Sequence, residues 1–171
     1  RHQDDEIGIV MYQATQSQQA AATSLLSALL ARDRVTTSAT ASSKKRMLED
    51  LAALLCRNQP SLDRHTVFQV LNERERLGST GIGYGIALPH GRLHGITEPI
   101  AAVLQLRQGL DFDAIDDKPV TLVIGLLVPA EATEQQLKIL SALATTFSNA
   151  SVRQEILGTS DADALYHLLT G

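Results

Sequence analysis

The chain is short of several things that particular functions require. One of its 171 residues is cysteine, Cys56, so an intrachain disulfide and a multi-cysteine metal site are both excluded. A reducing, cytoplasmic setting is the expectation. There is no tryptophan and aromatics make up 4%, too few for the stacking platforms that hold single-stranded nucleic acid. Basic residues do not dominate either. Lys and Arg total 15 against 19 Asp and Glu, a formal net charge of -4, unlike the basic face of a nucleic-acid binder. No apolar run reaches the ~18 residues of a membrane-spanning helix. The nearest, residues 120–130, is interrupted by Thr121, Gly125 and Pro129, so no membrane insertion is expected. No stretch has the basic start and apolar centre of a secretory signal, no internal repeat is visible, and neither phosphate-binding pattern, GxxxxGK[ST] or GxGxxG, occurs.

What is present is an ordinary globular composition, 44% hydrophobic and 20% charged, in a chain long enough to bury a core unaided. Residues 1–22 read as an N-terminal arm, linker or tag, with residues 7–12 apolar enough to form a short strand or pack on a neighbour. Residues 23–171 read as one domain. Leu25, Leu26, Leu29 and Leu30 have helical spacing. So do Met47, Leu48, Leu51, Leu54 and Leu55, behind a cap at Ser42 or Ser43, and Val67, Val70 and Leu71, between a start at Ser61 or Asp63 and a stop at Gly78. Residues 100–106 and 120–128 read as strands, the second apolar almost throughout, as a strand covered on both faces is. Thr133 and Gln136 have capping-box spacing before a helix expected to bury Leu137, Leu140, Leu143, Ala144 and Phe147, and two short helices follow around 152–157 and 162–169. The fold class is α/β (α+β): a single domain with a mixed β-sheet sandwiched by helices.

Six of eleven glycines fall between Gly78 and Gly95. Gly81, Gly83 and Gly85 alternate, which removes side chains from one face of an extended chain. The segment is either a flexible, bulged loop or a bare floor on which a reacting group or partner protein rests. It ends in Pro89-His90-Gly91. Pro89 stiffens the chain ahead of His90, and Gly91 is expected to turn it directly afterwards. A neutral imidazole is a nucleophile, and its ordinary pKa of about 6.5 leaves it largely neutral at pH 7. A backbone contact to one ring nitrogen would select the tautomer and leave the other free to attack. A lone surface histidine is more often inert, so these features alone do not establish a site.

The run from Gly78-Ser79-Thr80-Gly81-Ile82-Gly83 through Gly85-Ile86-Ala87-Leu88-Pro89-His90-Gly91 resembles the active-site signature of the enzyme IIA proteins of the phosphoenolpyruvate-dependent phosphotransferase system, in the fructose/mannitol superfamily. Ser43-Lys44-Lys45-Arg46, Phe112-Asp113-Ala114-Ile115-Asp116, Pro119-Val120 and Leu126-Leu127-Val128-Pro129 agree with it. Together they are most similar to the nitrogen-regulatory branch, the IIA-Ntr or PtsN proteins, over roughly residues 25–170. The resemblance implies a mixed sheet flanked by helices. It also implies a phosphoryl acceptor at His90, charged by phosphohistidine on an HPr-like carrier, so that the chain is a phosphocarrier rather than a stand-alone enzyme. No metal or organic cofactor is implied. The output would be regulatory, with potassium-transport or sensor proteins among the family's targets. A sugar-specific IIA passing phosphoryl to a IIB domain, and a non-catalytic binding module on the same fold, are the alternatives.

Phosphoryl transfer needs positioning and charge neutralisation. Arg74, in the Arg-Glu pair that the family places before Gly-Ser-Thr, can hold phosphate oxygens or merely suit a helix end. Ser79 and Thr80 can donate to the phosphoryl group or cap a turn. Gly81, Gly83, Gly85 and Gly91 would form the floor, and Arg92, like Arg76, would steer an acidic partner. Gln136 stands where sugar-specific relatives carry a second histidine; it can hydrogen-bond a phosphate but cannot carry its charge. His90 and His94 are spaced as a helical metal pair would be, but Gly91 and Gly95 argue against a helix there. Asp111, Asp113, Asp116 and Asp117 read as a solvated turn.

Overall fold

The computed structural model describes residues 14–171; the apolar stretch 7–12 lies outside the described residues. In chain order the elements are α1 (Gln16–Leu29), a 3-10 turn (Arg32–Arg34), β1 (Val35–Ala39), α2 (Lys44–Leu55), α3 (Arg64–Leu77), β2 (Gly81–Gly83), β3 (Ile86–Ala87), β4 (His90–Leu93), β5 (Ile100–Leu110), β6 (Val120–Pro129), α4 (Thr133–Ser148), α5 (Ala150–Gly158) and α6 (Ala162–Thr170). They form two units. Residues 31–132 make one, and the described residues before 31 together with 133–171 make the other.

The first unit is a mixed six-stranded sheet ordered β1-β5-β6-β3-β2, with β4 also on β6. The expected pair of long strands forms its centre. β5 and β6 run antiparallel, Ile100 opposite Leu127 and Gln105 opposite Leu122. β6 is buried along nearly its whole length, as its predominantly apolar sequence requires. α2 starts where the Ser43 hydroxyl accepts the Arg46 N–H at 3.1 Å, and α3 where the Asp63 carboxylate accepts the Thr66 N–H at 2.9 Å; each cap satisfies one of the orphan donors of a first helical turn. Met47, Leu48, Leu51, Leu55, Val67 and Leu71 then join Ala102, Leu104, Val123 and Leu127 in one core. The helix lies close on the sheet because Gly125 has no side chain. A Cβ there would meet the Leu51 methyls at 2.8 Å.

The helical unit holds α1 and α4–α6, with Leu26, Leu143, Phe147, Leu165 and Leu169 buried; Leu137, expected on the buried stripe of α4, is exposed instead. α1 opens on a reciprocal capping box. Thr15 Oγ1 accepts the Gln18 N–H at 3.2 Å, and Gln18 Oε1 accepts the Thr15 N–H at 2.9 Å. The expected boundary between residues 22 and 23 thus falls inside a helix. The segment before it, rich in Ala and Gln, has the content of a good helix former. The capping box expected at Thr133 and Gln136 does not form: Thr133 is already helical, and Gln136 Oε1 is buried without a hydrogen-bond partner.

Candidate functional site

The glycine segment is neither a loose loop nor a bare floor. β2 and β3 form an antiparallel hairpin, Gly81 opposite Ala87. Its tip takes left-handed backbone at Gly83 (φ 97°), Tyr84 (φ 57°) and Gly85 (φ 80°), which is why glycine recurs there. The Tyr84 N–H donates to Asp116 at 2.9 Å. Gly81 is required for a different reason: its Cβ would lie 2.7 Å from that of Ala114. The hairpin therefore closes against the 111–118 segment, and Asp116, which the sequence assigned to a solvated turn, holds its tip.

β3 and β4 lie end to end along one edge of β6. Ile86 and Ala87 face Leu122 and Val123, and His90 to Leu93 face Leu126 to Pro129. Leu88 and Pro89 bridge the two strands. The Pro89 carbonyl accepts the Leu126 N–H at 3.0 Å, and the Leu88 N–H donates to the Thr80 carbonyl at 2.9 Å. The Leu88 carbonyl is turned to the His90 ring, 2.7 Å from Nδ1. A carbonyl only accepts, so Nδ1 carries the proton and donates. In the neutral ring Nε2 then holds the lone pair. Burial pushes the His90 pKa below its ordinary value and the Arg74 cation pushes the same way. The Leu88 carbonyl and the Glu75 charge oppose them without prevailing. The ring is neutral and nucleophilic at pH 7.

Gly91 does not turn the chain. It is a strand residue, and a Cβ on it would lie 2.3 Å from Val70 Cγ1. Its small size lets β4 pack against α3 and so carries His90 close to the end of that helix.

There the structure assembles a node that the sequence reading did not assign to the site. Glu75, in the last turn of α3, is 7% exposed. Its Oε2 accepts from Lys44 Nζ at 3.0 Å and from the Thr80 N–H at 3.1 Å; its Oε1 accepts from the Thr80 hydroxyl at 2.6 Å. A carboxylate can be buried at tolerable cost only when it is paired and saturated in this way. Lys44 Nζ also donates to the Phe112 carbonyl at 3.1 Å and sits 4.4 Å above the centre of the Phe112 ring, a cation–π contact. The only sequence signals were the Arg74-Glu75 pair and the Ser43-Lys44 opening of α2; nothing in their spacing shows that residues 31 apart touch.

The node changes two expectations. The single hydroxyl proton of Thr80 is committed to Glu75, and that of Ser79 goes to the Phe112 carbonyl at 2.5 Å. Neither is directed at a group on His90. Arg74 Nη1 donates to the Gly78 carbonyl at 2.9 Å, closing the C-terminus of α3 while its charge acts on His90. Arg92 is exposed on β4. Gln136 belongs to α4, in the helical unit. His94 lies in the turn after β4, not on a helix with His90, and among the described residues no three His, Cys, Asp or Glu are placed to hold a metal ion. No helix among them is long and apolar enough to cross a membrane.

Residues 28–171 match the family model described as phosphoenolpyruvate-dependent sugar phosphotransferase system, EIIA 2. The chain is 48% identical over 127 residues to the nitrogen regulatory protein of Pseudomonas aeruginosa, covering 74% of this chain and 82% of that protein. Among solved structures, the nitrogen regulatory protein IIA-Ntr of Neisseria meningitidis superposes with a TM-score of 0.80 at 41% identity, over 86% of this chain and 100% of that one. The mannitol IIA of Escherichia coli gives 0.69 at 22% identity over 82% and 98%, a likeness of fold. With the match running through the sheet, the glycine hairpin and the Pro-His-Gly segment, the chain belongs to the EIIA type-2 family of the phosphoenolpyruvate-dependent phosphotransferase system.

Proposed function

We propose that the chain is a regulatory phosphocarrier of the nitrogen-type phosphotransferase system, with His90 as its acceptor. The observation that carries this reading is the 2.7 Å contact between Nδ1 and the Leu88 carbonyl, which aims a free lone pair outward from Nε2. An HPr-like donor presents a phosphohistidine. His90 Nε2 forms a bond to phosphorus as the donor's N–P bond breaks, and that bond pair returns to the donor ring. Positive charge grows on the His90 ring as the new bond forms. The carbonyl at Nδ1 and the Glu75 carboxylate behind it stabilise that charge, in the manner of preorganised electrostatic catalysis. Arg74, whose charge already acts on the His90 ring, would meet the incoming phosphoryl oxygens. No metal or organic cofactor takes part, because the phosphoryl group arrives already activated on nitrogen.

A phosphoserine or phosphothreonine carries about -1.5 to -2 charges, and phosphohistidine changes a surface in the same sense. Free and phosphorylated forms would then bind different partners, with potassium-transport and sensor proteins the classes the family suggests. The test is incubation with phosphoenolpyruvate, enzyme I and an HPr-like carrier, read by intact mass. One acid-labile phosphoryl group on the wild type, absent from His90→Ala, is expected. Loading that persists in His90→Ala would move the acceptor elsewhere, and no loading from an active carrier would leave a binding module.

A further inference from the structure

A continuous path of hydrogen bonds runs from the buried node to the acceptor ring. Lys44 pairs with Glu75, and Glu75 grips Thr80 at both its N–H and its hydroxyl. The Thr80 carbonyl accepts the Leu88 N–H, and the Leu88 carbonyl accepts the His90 Nδ1–H. The middle links of the path are buried and its ends part-buried; Thr80 and Leu88 are 5% and 6% exposed. The residue after Leu88 is proline, so the Leu88–Pro89 peptide has no N–H to tie it into the sheet. Its orientation depends on its neighbours: the Pro89 carbonyl on Leu126 on one side, and Leu88 held by Thr80 on the other.

We propose that Glu75 is a positioning residue for His90, fixing through Thr80 and Leu88 the one tautomer and ring orientation that present Nε2. The proposal rests on the phosphocarrier reading only for its kinetic consequence; the tautomer is a property of the resting protein. Glu75 touches neither the ring nor the phosphoryl path. It acts by pinning Thr80 so that the Leu88 carbonyl cannot rotate away from Nδ1. A loosened carbonyl lets the proton distribute between Nδ1 and Nε2, and every molecule with Nε2–H has lost its nucleophilic lone pair. The charge of Glu75 adds to this effect, since it favours the cationic ring of the transfer step.

The test uses the full chain, labelled with 15N in histidine, in three variants. Glu75→Gln removes the charge and one acceptor. Thr80→Val removes the hydroxyl while leaving the Lys44–Glu75 pair, so it decides the matter if Glu75→Gln fails to fold. Thr80→Ser keeps both donors. Nitrogen–proton correlation spectra above the pKa of the ring report the tautomer, and loading from a phosphorylated HPr-like carrier reports the rate. The wild type is expected to show the Nδ1–H form alone. Thr80→Val and Glu75→Gln are expected to show both tautomers and to load about tenfold more slowly or worse, the scale set by losing a charge-assisted hydrogen bond. Thr80→Ser is expected to recover the single tautomer and most of the rate. Unchanged ring signals and rates in Thr80→Val and Glu75→Gln, whatever their melting temperatures, would overturn the proposal and leave Glu75 a staple of the fold. A wild type that never loads would remove the phosphocarrier reading, yet the tautomer spectra would still decide the positioning role.

Discussion

At His90 two effects meet. Burial and Arg74 lower the ring pKa, and the Leu88 carbonyl with Glu75 raises it, with burial the largest single cause. Loading therefore depends on pH in a definite sense. The rate rises as the ring loses its proton, through a midpoint below the ordinary histidine value of about 6.5, and is flat above it if the carrier is kept saturating. A midpoint at or above that value would contradict the assigned environment. The same shift has a stability consequence: the unfolded chain binds the proton more readily, so this contribution is full above pH ~6.5 and is lost as pH falls toward the folded pKa. Replacing Arg74 with Gln removes a neighbouring cation and should raise the His90 pKa, measurable by NMR titration of the ring. It should slow loading as well, if Arg74 meets phosphoryl oxygens; a raised pKa with an unchanged rate above it would confine Arg74 to electrostatics and helix capping.

At the scale of elements, the position of His90 is set by close packing of β4 on α3. Gly91→Ala places a Cβ 2.3 Å from Val70 Cγ1. Overpacking of this kind costs about 1–3 kcal/mol, and the strand that bears His90 must move. The expected result is a lower denaturant midpoint together with slower loading. Val70→Ala in the same chain opens the space, so the double variant should recover part of both. A Gly91→Ala protein as stable and as fast as wild type would contradict the packing. The element scale also shows where sequence reasoning stopped. The longer elements were legible because many apolar residues agree, on one helical period in α2 and α3 and in near-continuous runs in β5 and β6. Strands of two to four residues such as β2, β3 and β4 carry no period to read. Gly91 suggested a turn because glycine permits one, whereas what required it was Val70, 21 positions away by residue number. Glycine marks a missing side chain without saying whether conformation or packing needs the space.

For the whole molecule, the sheet unit brings together the His90 ring, the carbonyl at its Nδ1 and the charged node behind it, all within residues 31–132. The family signature around His90 was legible because it is contiguous. Lys44, Glu75 and Phe112 were not, because they meet only after α2, α3 and the segment following β5 have taken their places, and an ion pair between residues distant in sequence leaves no local pattern. The central claim is that this fold exists to present Nε2 of one histidine. It is tested most directly by loading 15N-histidine protein from a phosphorylated HPr-like carrier and reading phosphorus–nitrogen coupling. The account predicts coupling to Nε2 of His90 with the Nδ1 proton retained. Coupling to Nδ1, or to His2, His65, His94 or His167, would contradict it.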